Sequence, residues 1–144
     1  LKCKIILPID VVCGKKLDDN QPKHFMIDKI PNDLMILDIG LKTTEKICKQ
    51  FLNSKILLWN GPVGAFEYTP YERATTEIAN TIKKNAKKLK IDVLAGGGDT
   101  ISSIKNANAE DGFTYISNAG GAFLEWLEGN QSPGIIALKE NKLN

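Results

Sequence analysis

Residues 55–68 read KILLWNGPVGAFEY. A lysine opens the stretch and four apolar residues, Ile56 to Trp59, follow it. The run then stops in Asn60-Gly61-Pro62-Val63-Gly64, and an aromatic and an acid return at Phe66 and Glu67. A short apolar run bounded by turn residues reads as a buried strand. A simple reversal of the chain needs fewer glycines than this turn carries, so the turn itself is a candidate for function.

The same pairing of apolar run and glycine turn recurs downstream. Residues 91–98, IDVLAGGG, are a strand that ends in a glycine triplet before Asp99 and Thr100. Residues 113–117, FTYIS, lead into Asn118-Ala119-Gly120-Gly121. Upstream, DLMILDIG (33–40) ends at Gly40, CKIILPIDVVC (3–13) reads as a buried β-branched strand, and KHFMIDKIP (23–31) as a short strand or loop. Helical patterns separate the strands. LKTTEKICKQFLN (41–53) places Ile47, Phe51 and Leu52 on one face, with Thr43 or Thr44 as the expected cap. TPYERATTEIANTIKKNAKKLK (69–90) carries a stripe of Tyr71, Ala74, Ile78, Ile82 and Leu89, with Pro70 in its first turn. Two shorter helices follow, at 99–108 and 120–130, the second with Phe123, Leu124 and Leu127 apolar, and IIAL (135–138) begins a last one. Strands alternating with helices predict a run of βαβ units: a three-layer αβα, doubly wound, mostly parallel sheet of the Rossmann-like kind.

Composition bounds the reading. The 144 residues make about one domain, 42% hydrophobic and 25% charged, with a formal net charge of +2. Bulk charge therefore argues for neither nucleic acid nor a membrane surface. The apolar run near the start is interrupted by Pro8 and Asp10 and is too short for an anchor or a signal peptide. Cys3, Cys13 and Cys48 are scattered and odd in number, which predicts reduced thiols in a cytoplasmic protein and makes the Asn130-Gln131-Ser132 sequon irrelevant. The absence of an initial Met, with a strand-like run almost at once, predicts a piece of a longer protein.

The glycines fall on one side of the pattern. Strand-to-helix turns are glycine-rich, whereas the helix-to-strand turns LNSK, LKID and NAEDG carry a single glycine between them. Ligands of parallel α/β sheets bind at the carboxyl ends of strands. Glycine lets main-chain amides approach a ligand closely, and the following helix offers unpaired N–H groups at the positive end of its dipole. Two such turns, AGGGDT and SNAGGA, suit a polyphosphate or two phosphates. Any one glycine pair here is accounted for by a tight turn; three on one edge favour phosphate. Neither a Walker A sequence nor a Gly-x-Gly-x-x-Gly fingerprint follows a strand. Asp99 is read either as a helix cap or as a carboxylate that holds Mg²⁺ beside the phosphates. Glu67 is read as a solvated loop acid or as an acceptor for ribose hydroxyls. The lysines at 83, 84, 87, 88 and 90 read as a solvated helix end, His24 as a surface or loop residue, and Trp59 and Trp126 as core or helix packing.

LLWNGPVGAFE, LAGGGDT and SNAGGAFLEWLEG…PGIIAL, in this order, closely resemble the carboxyl-terminal part of phosphoglycerate kinases, and IILPIDVV and MILDIGLKT are similar to that family's segments as well. The resemblance covers nearly the whole chain. It implies a carboxyl-terminal nucleotide-binding domain over residues 1–144, equivalent to about the last third of such an enzyme, with an amino-terminal substrate domain and the start of this domain lying outside it. It implies glycolytic phosphoryl transfer between 1,3-bisphosphoglycerate and Mg-ADP, giving 3-phosphoglycerate and ATP, with the two domains closing over a hinge in a cytoplasmic monomer. By motif position, Asn60 and Thr100 would meet phosphates, with Gly98 beside them. Leu37, Pro62 and Ala65 would line the nucleoside pocket, Glu67 would take the ribose and Asp99 the Mg²⁺. The amides around Ala119, Gly120 and Gly121 would hold the transferring phosphoryl group, with Gly120 and Gly121 the catalytic pair.

The chain departs from the family pattern at Ala119, where a first glycine is usual, at Ala65 for a usual Val, and at Ile36 for a frequent Gly. The family's upstream glycine-lysine segment is missing, which predicts that the chain alone does not turn over. Two other classes stay open on the residues themselves: a non-catalytic phosphate-binding or scaffold module, in which the turns are only turns, and a nicotinamide-dependent oxidoreductase fragment. Against the second, the first strand ends at Cys13-Gly14-Lys15-Lys16 with no dinucleotide turn.

Overall fold

The computed structural model describes residues 3–130 and 133–141. Six strands are present: β1 (Asp10–Gly14), β2 (Lys23–Met26), β3 (Met35–Ile39), β4 (Ile56–Trp59), β5 (Asp92–Gly96) and β6 (Tyr115–Ser117). Five helices join them: α1 (Leu41–Leu52), α2 (Arg73–Leu89), α3 (Gly98–Asn106), α4 (Gly120–Leu127) and α5 (Pro133–Glu140). Glu110–Gly112 form a further 3₁₀ turn. The last residues of the sequon and of the tail fall outside the described residues.

The second half follows the expected winding. β4, β5 and β6 are neighbours in a parallel sheet, with Leu57 opposite Val93, Trp59 opposite Ala95, and Ala95 opposite Ile116. Parallel neighbours need a long crossover; the loop before α2 with α2 itself, and α3 with the 3₁₀ turn, supply the two crossovers here.

The first half corrects the βαβ expectation. β1 lies between β2 and β3 and pairs antiparallel with both. The connection 15–22 turns β1 back along β2, whereas 27–34 carries the chain from β2 past β1 to β3 on its other side, without an α-helix. β1 is also shorter than the apolar run predicts: residues 3–9 form no strand, and Ile5 and Leu7 are exposed.

One face of the parallel sheet carries the main core. Trp59, Val93 and Ala95 pack with Phe51 of α1, Ile78, Ala79, Ile82 and Ala86 of α2, and Ile104 of α3. Full burial of a side chain such as Val93 or Ile82 is worth about 1.5–3 kcal/mol. The stripe predicted on α2 holds for Ala74, Ile78 and Ile82, but Leu89 is exposed, and Tyr71 is buried ahead of the helix in a second cluster with Val12 and Leu37. On the opposite face, α4 lays Phe123 beside Tyr115, ring centroids 6.1 Å apart. Nothing comparable covers β4 among the described residues, and Ile56 is 65% exposed. The sheet is thus three layers deep at β5, with α4 on one face and α2 and α3 on the other, and two at β4. Trp126, expected in packing, is more than half exposed. The lysines at 83, 84, 87, 88 and 90 are all exposed, and His24 stands exposed on β2.

Candidate functional site: three turns on one sheet edge

Because β4, β5 and β6 run parallel, the turns that leave them open on the same edge. β5 ends at Gly96 and α3 starts at Gly98; β6 ends at Ser117 and α4 starts at Gly120. In α3 the first helical bond runs from the Ile101 amide to the Gly97 carbonyl, and in α4 from the Phe123 amide to the Ala119 carbonyl. The amides of Gly98, Asp99 and Thr100, and of Gly120, Gly121 and Ala122, therefore have no helical acceptor. The two groups are adjacent. A Cβ placed on Gly120 would stand 2.5 Å from the Gly97 Cα, so main chain lies on main chain. Gly97 itself sits at φ 101°. Only glycine fits that combination of contact and left-handed backbone.

The third turn is held in place by buried polar side chains from three other elements. The Gly61 amide donates to Thr100 Oγ1 at 2.8 Å, and the Val63 amide to Thr75 Oγ1 at 3.0 Å. The Thr75 hydroxyl donates back to the Val63 carbonyl, and Trp59 Nε1 donates to the Gly61 carbonyl. The Ala65 amide donates to the Leu37 carbonyl of β3 at 2.7 Å. Beside it, the Asp38 carboxylate accepts from the Ala74 amide in the first turn of α2 at 3.0 Å and from the Ile39 amide at 2.8 Å. Gly64, at φ 72°, packs its Cα against that carboxylate, where any side chain would collide with it. Burial pushes the Asp38 carboxyl up, the two amides pull it down and Glu72 pushes it up again, leaving it at about 6.

Leu37 and Ala65, both expected in the nucleoside pocket, come together in the cluster that also holds Val12 and Tyr71. Pro62 lies half-buried in the same turn. Asn60 and Glu67 are exposed, Glu67 inside the turn closed by the Tyr68 amide on the Ala65 carbonyl. Gly98 and Asp99 are exposed in the first turn of α3. Thr100 is buried, and its hydroxyl oxygen accepts from Gly61, which leaves its O–H as well as its main-chain amide as donors. Ala119 has φ −103°, an ordinary value for an L-residue, so the methyl in place of the family's glycine fits the backbone. Its amide donates to Ser117 Oγ at 3.3 Å, which leaves the Gly120 and Gly121 amides as the freer pair.

Sequence reasoning missed Asp38 and Thr75. Their signal was present in MILDIG and RATTE, a carboxylate inside an apolar strand and a threonine on the apolar face of a helix. A cavity elsewhere, lined by Val12, His24, Asp38, Leu41, Arg73 and Glu77, is at about 90 Å³ too small for a nucleoside. Among the described residues no three His, Cys, Asp or Glu side chains converge as a metal cage. A lone exposed Asp99 beside free amides suits a cation that takes its other ligands from water and phosphate, which is how Mg²⁺ is commonly held.

Fold and edge together define an α/β protein of the parallel-sheet class, with a glycine-rich rim of unpaired helix amides at the carboxyl ends of its strands. The family profile described as phosphoglycerate kinase matches residues 1–130. The chain belongs to the phosphoglycerate kinase family. It is 46% identical over 138 residues to the phosphoglycerate kinase of Rhodopseudomonas palustris, covering 95% of this chain and 35% of that protein. It is 44% identical over 140 residues to that of Brucella abortus, covering 96% and 35%. Among solved structures, the phosphoglycerate kinase of Coxiella burnetii superposes with a TM-score of 0.81 at 33% identity, over 94% of this chain and 34% of that one. That of Pyrococcus horikoshii superposes with a TM-score of 0.76 at 28% identity, over 92% and 32%. The chain thus spans about a third of the length of the relatives it matches.

Proposed function

We propose that residues 1–144 form the carboxyl-terminal, Mg-nucleotide-binding part of a phosphoglycerate kinase. The reaction it serves is transfer of a phosphoryl group between 1,3-bisphosphoglycerate and ADP, giving 3-phosphoglycerate and ATP in glycolysis. Support comes above all from one observation: two sets of unpaired helix amides meet main chain to main chain at Gly97 and Gly120, beside a turn with an apolar wall. In this reading Leu37, Pro62 and Ala65 face the nucleoside, and Glu67 accepts from the ribose. Asn60 and the amides of Gly98 and Thr100 meet the nucleotide phosphates. Asp99 would hold Mg²⁺, which neutralises phosphate charge. The amides at Ala119, Gly120 and Gly121 aim at the oxygens of the transferring phosphoryl group.

Phosphoryl transfer asks the protein for position and charge stabilisation rather than for a base or a nucleophile. A donor preorganised on developing charge is worth about 3 kcal/mol. The other substrate site, and the cations that complete the reaction, belong to the two thirds of the family's length not present here, so the chain alone is proposed to bind nucleotide weakly and not to turn over. The whole enzyme is proposed to act as a cytoplasmic monomer. No described helix is long and apolar enough to cross a membrane.

Titration with Mg-ADP tests the reading. Amide signals of Leu37, Asn60, Glu67, Asp99 and Thr100 are expected to shift, and Asp99→Ala to weaken the Mg²⁺-dependent part of the affinity while leaving the fold unchanged. A chain that is unmoved by millimolar Mg-ADP would instead be a module whose turns are only turns.

A further inference from the structure

The loop from Asn60 to Glu72 carries four of the proposed ligand contacts, yet no regular secondary structure holds it. Its conformation depends on acceptors supplied by neighbours. Val63 is bound in both directions by the Thr75 hydroxyl, through its amide and through its carbonyl. Gly64 rests on the Asp38 carboxylate, which also fixes the first turn of α2 through the Ala74 amide. Ala65 is joined to the carbonyl of Leu37, the residue next to Asp38. Asp38 and Thr75 are 2% and 1% exposed, so solvent offers them no alternative partner. Neither is among the residues proposed to touch the nucleotide.

We propose that Asp38 and Thr75 are positioning residues that set the spacing of the nucleoside wall, Leu37 against Pro62 and Ala65, independently of the phosphate amides. The inference rests on the nucleotide reading above. Its physical basis is that the two halves of the site are built differently. The amide groups at α3 and α4 are fixed by helix geometry and by the Gly97–Gly120 contact. The apolar wall is fixed by two side chains from β3 and α2. Removing the Thr75 hydroxyl leaves the half-buried amide and carbonyl of Val63 without these partners, and the loop then moves to water. Removing the Asp38 charge leaves one of two buried amides facing a donor.

The test compares a ligand that has a nucleoside with one that does not. Thr75→Val keeps the shape of the side chain and removes the hydroxyl; Thr75→Ser keeps the hydroxyl; Asp38→Asn keeps one acceptor. Calorimetry with Mg-ADP and with Mg-tripolyphosphate on the 144-residue chain gives the comparison. Thr75→Val and Asp38→Asn are expected to weaken Mg-ADP about tenfold, the effect of one lost buried hydrogen bond, and to leave Mg-tripolyphosphate within about twofold. Thr75→Ser is expected to restore Mg-ADP binding. Hydrogen exchange at the Val63 and Ala65 amides should quicken in Thr75→Val and not in Thr75→Ser.

Equal loss of both ligands, or loss of neither, would overturn the proposal. If the wild-type chain binds neither ligand, the nucleotide reading fails. Exchange at Val63 and Ala65 then decides separately whether the two side chains hold the loop, and unchanged exchange overturns that as well.

Discussion

At the scale of single residues, a buried hydroxyl is the feature most exposed to test. Tyr71 is fully buried, and its phenol oxygen has no hydrogen-bond partner among the described residues. It occupies space that the absence of a side chain at Gly14 leaves open, since a Cβ there would overlap the phenol oxygen. An unpaired buried hydroxyl costs about 1–3 kcal/mol. Tyr71→Phe is therefore expected to raise the unfolding midpoint. Gly14→Ala alone is expected to lower it, and the double variant to recover most of the loss. Chemical denaturation of the four proteins gives the cycle; additive effects would show that Gly14 and Tyr71 are not coupled. This pair was invisible in the sequence. Gly14 and Tyr71 are far apart in the chain, and nothing in either neighbourhood points to the other. Asn60, Glu67 and Asp99 could be named as candidates, because an acid or an amide next to a glycine turn at a strand end has few roles besides capping a helix and meeting a ligand, and all three are exposed.

At the scale of elements, both long helices take their first-turn acceptors from strands. Asp10 of β1 accepts from the amides of Lys42 and Thr43 at 3.0 and 2.8 Å and from the Thr43 hydroxyl at 2.6 Å, at the start of α1. Asp38 of β3 does the same for α2. Read from sequence, the cap of α1 falls to Thr43 or Thr44, because cap rules look at neighbours in the chain. The helix begins instead after Gly40, Thr43 serves as a donor to Asp10, and Thr44 turns its hydroxyl back to the Gly40 carbonyl. A carboxylate delivered from another strand leaves no local mark.

The two carboxylates respond to pH with opposite sign. Burial pushes Asp10 up, but the Thr43 hydroxyl, the two amides and the Lys42 ammonium together hold it below its ordinary 3.8. Its contribution is present above 3.8 and is lost as pH falls through its lowered value. Asp38, raised to about 6, contributes below 3.8 and loses that contribution as pH rises through 6. Between about pH 4 and 6.5 the stability of wild type relative to Asp38→Asn is accordingly expected to fall. Relative to Asp10→Asn it should hold steady in that range and drop only in stronger acid. Removing the Asp10 carboxylate altogether, as in Asp10→Ala, should cost about 1 kcal/mol, the ordinary worth of a helix cap. Denaturant melts over this pH range check both slopes, and parallel profiles for wild type and Asp38→Asn would contradict the assignment.

At the scale of the molecule, the parallel half of the fold was readable because three apolar runs each ended in glycine and were separated by helical patterns. The antiparallel half was not. CKIILPIDVVC looks like one strand by composition, but composition does not distinguish a run that finds neighbours from one that does not, and only its last four residues, with Gly14, are paired. β4 shows the same limit. Its continuous apolar run predicts burial on both faces, yet Ile56 and Leu58 are exposed beside an edge with no strand added to it among the described residues. Such an edge invites association. Ile56→Thr with Leu58→Thr is expected to raise the concentration at which the chain stays monomeric in sedimentation. Nucleotide affinity should be unchanged, since the glycine rim lies beyond the strand's other end. Unaltered self-association would mean that β4 is not the sticky surface.

The contact between Gly97 and Gly120 acts as a ruler. With main chain touching main chain, the gap between the two fans of N–H groups is fixed by atoms that every residue shares, and no rotamer can widen it. Anionic ligands whose charged groups are spaced otherwise cannot be accommodated by a shifted side chain; they would have to part β5 from β6. If the rim holds phosphates as proposed, it would select by length before it selects by chemistry.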